Sequence, residues 1–222
     1  MASSICTETV YSLSIPKIGF TDQSLSLIKI IGDGSCFFHA VLRGFNKDYI
    51  RANNTHERKQ LARQLRNAIA SALEESDETG TREYDKLGGG TYSEYNKAIS
   101  PVDGDKYSLE ALKRELLSDA SVDHAYIQML SDHINIDIYL INSRTGDLYT
   151  TGTDINLLYK NRNSIVIIYS PGHYDLIGIR RVADKNIADI QNKGDIVFDC
   201  LFDPEHDFIK CLQARLHRLV KD

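Results

Sequence analysis

Cys36, His173 and Asp175 are the residues of this chain whose types and positions can do chemistry together. A thiolate, not a thiol, attacks a carbonyl, and a cysteine at its ordinary pKa of ~8.5 is mostly protonated at neutral pH. Cys36 follows the turn Gly32-Asp33-Gly34-Ser35 and opens an apolar, helix-like run, "CFFHAVLRGF". That position predicts a helix N-terminus, where unpaired N–H groups and the positive end of the dipole lower a thiol pKa. Gly34 lets the turn adopt dihedrals that other residues avoid. The same turn can aim backbone N–H groups, that of Cys36 included, at the oxygen of a tetrahedral intermediate. Asp33 can hydrogen-bond within the turn and hold its shape. Such a nucleophile still needs a base.

Of seven histidines, His173 has the right context. It follows Pro171-Gly172 and starts the run "HYDLIGI" after the apolar run "SIVIIYS". On a strand, residues i and i+2 share a face. His173 and Asp175 therefore point the same way, and the carboxylate can orient the imidazole and stabilise its charged form. This is the cysteine–histidine–acid logic of activated nucleophiles. The bland reading of "HYD" is a strand end with ordinary polar residues, and the Cys36 turn weighs against it. Tyr174 faces the opposite side and is read as a substrate contact. His39, on the Cys36 helix, is expected to be packed or solvated, and His56, His124, His133, His206 and His217 have no evident partner.

The elements that must position these groups fall into two halves. Helices are expected from Cys36 to Phe45, from Asn54 to about Glu75 with Asn54 and Glu57 at capping-box spacing, after Ser108, and from Ser121 to about Asp132. Leu61, Leu65, Ala68, Ile69, Ala72 and Leu73 form the stripe of the second. "LSLIKII" reads as a short approach to the glycine turn, and strands are expected at "INIDIYLIN", "DLYTTG", "INLLY", "SIVIIYS" and "HYDLIGIR", with "DIVFDCLF" a candidate last strand. Asp203-Pro204-Glu205 then starts a C-terminal helix at about 204–220. The fold class is α+β, a mixed β-sheet flanked by helices. The domain organisation is a 1–24 extension and a single domain over 25–222. That domain includes a polar helical and loop insertion at about 53–119.

Composition narrows the function classes. The 222 residues are 42% hydrophobic and 26% charged, an ordinary globular balance, with a net charge of −5 that gives no pull toward nucleic acid. The basic run "ERKQLARQLR" reads as a solvated helix face. No window approaches the ~20 apolar residues of a membrane span, and the N-terminal residues lack the pattern of a secretory signal. A cytoplasmic address is expected, or a host cell's cytosol if the protein is delivered there. Four cysteines are too few and too scattered for a disulfide scaffold. Cys6 falls in the terminal extension, and Cys200 and Cys211 are expected in apolar packing. The series Cys200, His206, Cys211, His217 does not have zinc-site spacing, so no metal is expected. "GDGSCFF" lacks the Lys-Ser/Thr of a phosphate loop.

"DGSCFFHAV" (33–41) with "GHYDLI" (172–177) resembles the ovarian tumour (OTU) family of deubiquitinating cysteine proteases. "AYIQMLSDHINIDIYLIN" (125–142) is similar to that family's helix leading into a central strand. The resemblance spans roughly 25–180. It implies a papain-like arrangement with Cys36 as nucleophile, His173 as general base and then acid, and Asp175 orienting His173. It implies Asp33, Gly34 and the Cys36 N–H at the oxyanion hole. The implied substrate is a bond following the Gly-Gly end of ubiquitin or polyubiquitin, with ubiquitin-like modifiers or a polyprotein as alternatives, or a non-catalytic binding module that kept the fold. No cofactor is implied, and a monomer is expected. Two features depart from the pattern. His39 stands where many members have Arg, and the chain has no Trp where many have a Trp-Gly pair before the helix expected at Ser121.

Overall fold

The computed structural model describes residues 10–12, 25–90, 107–122, 126–150, 156, 158–181 and 197–219. The expectations for Cys6, His124 and most of the 1–24 extension lie outside these residues. Within them, the apolar runs of the second half form one mixed sheet. Its strands are β1 (Val10–Ser12), β2 (Leu25–Ile28), β3 (Asp137–Asn142), β4 (Ser164–Ser170), β5 (His173–Arg181) and β6 (Val197–Asp199). The order is β1-β2-β5-β4-β3, with β6 also paired to β5. Only β3 and β4 run parallel. Both read as nearly continuous apolar runs, "DIYLIN" and "SIVIIYS", and both are buried along most of their length. That is the pattern of strands covered on two faces.

The helices are α1 (Cys36–Phe45), α2 (Lys47–Arg51), α3 (Thr55–Ala72), α4 (Glu83–Lys86), α5 (Leu109–Leu117), α6 (Ile127–Ile134) and α7 (Asp207–Leu219). The α+β class is therefore observed. α1 packs on β5 and β4 and against α3, and α3 in turn packs on α5. α1 is buried along Cys36–Leu42 and again at Gly44, so it is a core helix on all sides rather than an amphipathic one. Fully burying Phe37 and Phe38 is worth roughly 1.5–3 kcal/mol each.

Local signals explain most boundaries. The Asn54 side chain accepts the Glu57 N–H at 2.9 Å, and Glu57 returns to the Asn53 N–H at 3.0 Å, so α3 starts as the capping pattern predicts. Ser108 caps α5 through the Ala111 N–H at 3.1 Å. Asn135, at φ 55°, ends α6 in a left-handed turn. The run "INIDIYLIN" is consequently divided, its first residue finishing α6 and its strand beginning at Asp137.

Other expectations shift. The stripe of α3 is rotated: Ala62, Arg66, Ile69, Ala70 and Ala72 are buried, Leu61 and Leu65 are half-buried, and Ala68 is exposed. The described part of "DLYTTG" makes only a bridge, Leu148 to Ile141, and no strand forms at Asn156 or 158–159. The C-terminal helix begins at Asp207, with Asp203 instead holding the preceding turn through the Glu205 N–H at 2.8 Å. Three residues of the 1–24 extension, Val10–Ser12, join the sheet as an edge strand. The 53–119 region supplies α3 and α5, whose Ala62, Ile69, Ala70 and Leu112 belong to the same core as α1.

Candidate active site

The site forms where the N-terminus of α1 meets the start of β5. Pro171 and Gly172 join β4 to β5, and Gly172 takes φ 79°, a value open to glycine without strain. This tight connection pairs Ser170 with His173 and Ile168 with Asp175, so the phase of the strand is fixed across β4. His173 and Asp175 then share a face, and His173 Nε2 lies 3.0 Å from Asp175 Oδ1. With Nε2 so engaged, Nδ1 is the ring nitrogen left to exchange a proton with a nucleophile.

Asp175 is held from three sides. Besides His173, it accepts the Ile30 N–H at 3.1 Å and the Lys29 ammonium at 2.6 Å. Its side chain is almost fully buried whereas Lys29 is substantially exposed. A buried carboxyl group is tolerated when such donors satisfy its oxygens, and these contacts fix the position of Asp175 behind His173. Lys29 carries no motif around it that marks this role in the sequence.

Cys36 is the first residue of α1 and is 2% exposed. Burial pushes its thiol pKa up, and the Asp33 charge adds to this. The backbone N–H groups of Tyr174, Phe37 and Cys36 itself pull the other way without winning. The expected lowering by the helix N-terminus is thus outweighed, because the apolar packing that makes α1 a core helix also strips water from the sulfur. The Tyr174 N–H contact puts the sulfur against the strand that carries His173 and Asp175. In the protein without substrate, alkylation of Cys36 by iodoacetamide should rise through a midpoint above the ~8.5 of an ordinary thiol. A midpoint well below that value would instead show a thiolate already paired with the His173 imidazolium.

The turn before Cys36 is closed on itself. Asp33 Oδ1 accepts the Ser35 N–H at 2.8 Å, as the reading of Asp33 as a turn-holding residue requires. The Asp33 carbonyl accepts the Cys36 N–H at 3.1 Å, and the Asp33 N–H goes to Ile31 at 3.2 Å. The N–H groups of Asp33 and Cys36 are therefore engaged rather than free. An incoming oxyanion must share the Cys36 N–H with the Asp33 carbonyl or displace it. Gly34 is needed for a close approach, since a methyl group there would overlap the Asp119 carbonyl oxygen.

His39 is packed, and fully buried. Its Nδ1 meets the Tyr49 hydroxyl at 2.9 Å and its Nε2 lies 3.4 Å from Asp33 Oδ1. Burial holds its pKa below the ordinary value despite Asp33. Burial alone would raise Asp33, but the Ser35 N–H, His39 and Lys59 more than offset it and hold the carboxyl below the usual range. Tyr174, read as a substrate contact, is 5% exposed, with its ring packed between Phe37 at 5.2 Å and Tyr169 at 5.2 Å. Its ring has turned to the opposite face from His173, into the core, and what it offers the site is its backbone N–H.

No group of metal-ligating side chains occurs among the described residues, and no described helix is long and apolar enough to cross a membrane.

Several solved OTU domains are similar to this chain. One, an OTU domain in complex with ubiquitin, is 16% identical at a TM-score of 0.49, over 88% of this chain and 84% of that one. An OTU deubiquitinase from Wolbachia pipientis wMel is 13% identical at a TM-score of 0.41, over 75% and 92%. The viral OTU domain protease from Farallon virus is 18% identical at a TM-score of 0.39, over 70% and 84%. No protein-family model and no curated protein matches the chain.

Proposed function

We propose that the protein is a cysteine-type deubiquitinase, cleaving the isopeptide bond that follows the C-terminal Gly-Gly of ubiquitin. The observation that carries this reading is the His173–Asp175 pair on β5 beside the buried N-terminal residue of α1, Cys36, within the two motifs that resemble the OTU family. In the proposed reaction His173 Nδ1 takes the Cys36 proton and the sulfur attacks the glycine carbonyl carbon. The resulting oxyanion is met by the Cys36 N–H, which it shares with or takes from the Asp33 carbonyl. Collapse breaks the C–N bond, and the His173 imidazolium returns its proton to the leaving lysine amine. Water, deprotonated by His173, then hydrolyses the thioester and releases the ubiquitin carboxylate. Asp175, anchored by Lys29 and the Ile30 N–H, stabilises the imidazolium in both halves. The raised thiol pKa suits a nucleophile that is deprotonated when substrate arrives.

Monomeric enzyme acting in a cytosol is part of the same proposal. The deciding experiment uses ubiquitin bearing a thiol-reactive C-terminal group, beside a ubiquitin-like modifier carrying the same group. A single adduct with the ubiquitin probe, mapping to Cys36 by peptide mass, is the expected result. An unlabelled protein would sink the enzymatic reading in favour of a binding module. Preferential labelling by the other modifier would move the substrate.

A further inference from the structure

Arg66 is a feature that the chemistry above does not use. It lies on α3, inside the basic run, yet is 2% exposed. Its guanidinium spends all five of its N–H donors. Nε donates to the Leu116 carbonyl at 2.8 Å, and Nη2 donates to the Glu115 and Ala120 carbonyls at 2.7 and 2.9 Å. Nη1 donates to the Gly34 carbonyl at 2.8 Å and to the Ser35 hydroxyl at 3.1 Å. The plane of the group also covers the Phe38 ring, 5.3 Å away. Arg66 therefore touches the chain on both sides of Cys36.

The first three of these bonds satisfy the last carbonyls of α5 and the turn after it, a role that any helix C-terminus could give a basic residue. The bonds to Gly34 and Ser35 go beyond it. The Gly34 carbonyl and the Ser35 N–H belong to one rigid peptide plane. Arg66 holds the oxygen end of that plane and the Asp33 carboxylate holds its N–H end. Fixing both ends fixes the orientation of the peptide that leads into Cys36. Gly34 allows this by letting the 119–120 backbone lie directly against it. None of the five acceptors is a carboxylate, so a buried cation here is costly, and a lysine could not reach the acceptors in one plane.

We infer that Arg66 is a positioning residue for the nucleophile turn, tying Gly34 and Ser35 to the segment 115–120 so that the Cys36 sulfur and N–H are correctly aimed. This rests on the reading of Cys36 as nucleophile. Misplacing a reacting group by about 1 Å costs on the order of 100-fold in rate. The test compares wild type with Arg66→Lys and Arg66→Gln, using ubiquitin with a fluorogenic amide at its C-terminus and counting active enzyme by titration of Cys36. The expected result is a fall in kcat of about 30- to 100-fold with KM within about twofold. Amide hydrogen exchange at Ser35 should accelerate while the amides of β4 and β5 stay protected.

Exchange that rises uniformly across the sheet, or a kcat per titratable thiol within about threefold of wild type, would make Arg66 a purely structural cap of α5 and overturn the inference. Should both variants fail to fold, Ser35→Ala removes one of the two bonds to the turn without opening a hole. It should then lower kcat severalfold, and an unchanged kcat overturns the inference there as well. A wild type that never cleaves ubiquitin ends the substrate reading, while Ser35 exchange and the Cys36 alkylation rate in the same variants still decide what Arg66 does.

Discussion

Replacing Cys36 with alanine should lower kcat for ubiquitin cleavage by roughly 10⁵- to 10⁶-fold, the size of effect seen when a nucleophile is deleted from a catalytic unit whose members act together. The protein should stay folded. Cys36 packs as a small apolar group at the first turn of a core helix, and removing one sulfur leaves a cavity worth about 1 kcal/mol. The Cys36 N–H, its bond to the Asp33 carbonyl and the start of α1 are backbone features that alanine keeps. Thermal unfolding and ubiquitin binding should therefore match wild type within small margins. Turnover within 100-fold of wild type would require another nucleophile. Loss of folding would mean that the sulfur is needed for packing beyond what its size implies.

Asp175→Ala should cost about 10²- to 10⁴-fold in kcat, with Asp175→Asn retaining more activity. Three donors converge on this carboxylate: His173 Nε2 at 3.0 Å, the Ile30 N–H at 3.1 Å and Lys29 at 2.6 Å. Alanine leaves the imidazole free to rotate and the Ile30 N–H without its acceptor, which adds roughly 1–3 kcal/mol of destabilisation. Asparagine can still accept from Nε2 and Ile30 through its Oδ1 but cannot neutralise an imidazolium. Steady-state kinetics of the two variants, with unfolding measured alongside, separates orientation from charge. Equal activity in wild type and Asp175→Ala would assign the orienting role to another group.

How far this site is readable from the chain depends on how local each signal is. The turn ahead of Cys36 and the i, i+2 placement of His173 and Asp175 follow from a few neighbouring residues, and both are present in the structure. The thiol pKa is different, because it depends on what covers the sulfur. "CFFHAVLRGF" shows apolar residues on more than one side, but the packing of β4, β5 and α3 around them is a property of the assembled domain. Arg66 illustrates the same gap. In composition it belongs to a basic run and reads as solvated, although its position follows Ala62 by four and precedes Ile69 by three, the phase of the buried face. Phase, not residue type, was the usable signal. The strands that failed to form at 147–150 and 158–159 lie next to an edge strand, where alternation of apolar residues is easily overridden by turns.

The pairing of β5 with β2 and β4 has a consequence for which changes in the gene the protein can tolerate. Because successive residues of a strand alternate faces, substitutions along β5 alter one contact at a time, whereas adding or deleting a single codon ahead of Asp175 would exchange the two faces. Tyr174 would then be presented at the nucleophile, and a carboxylate and an imidazole would be driven against Phe37 and Tyr169. Length between Ser170 and Asp175 is thus under tighter restraint than sequence. A lineage carrying this fold can drift widely in composition while its indels are confined to the connections outside the paired strands.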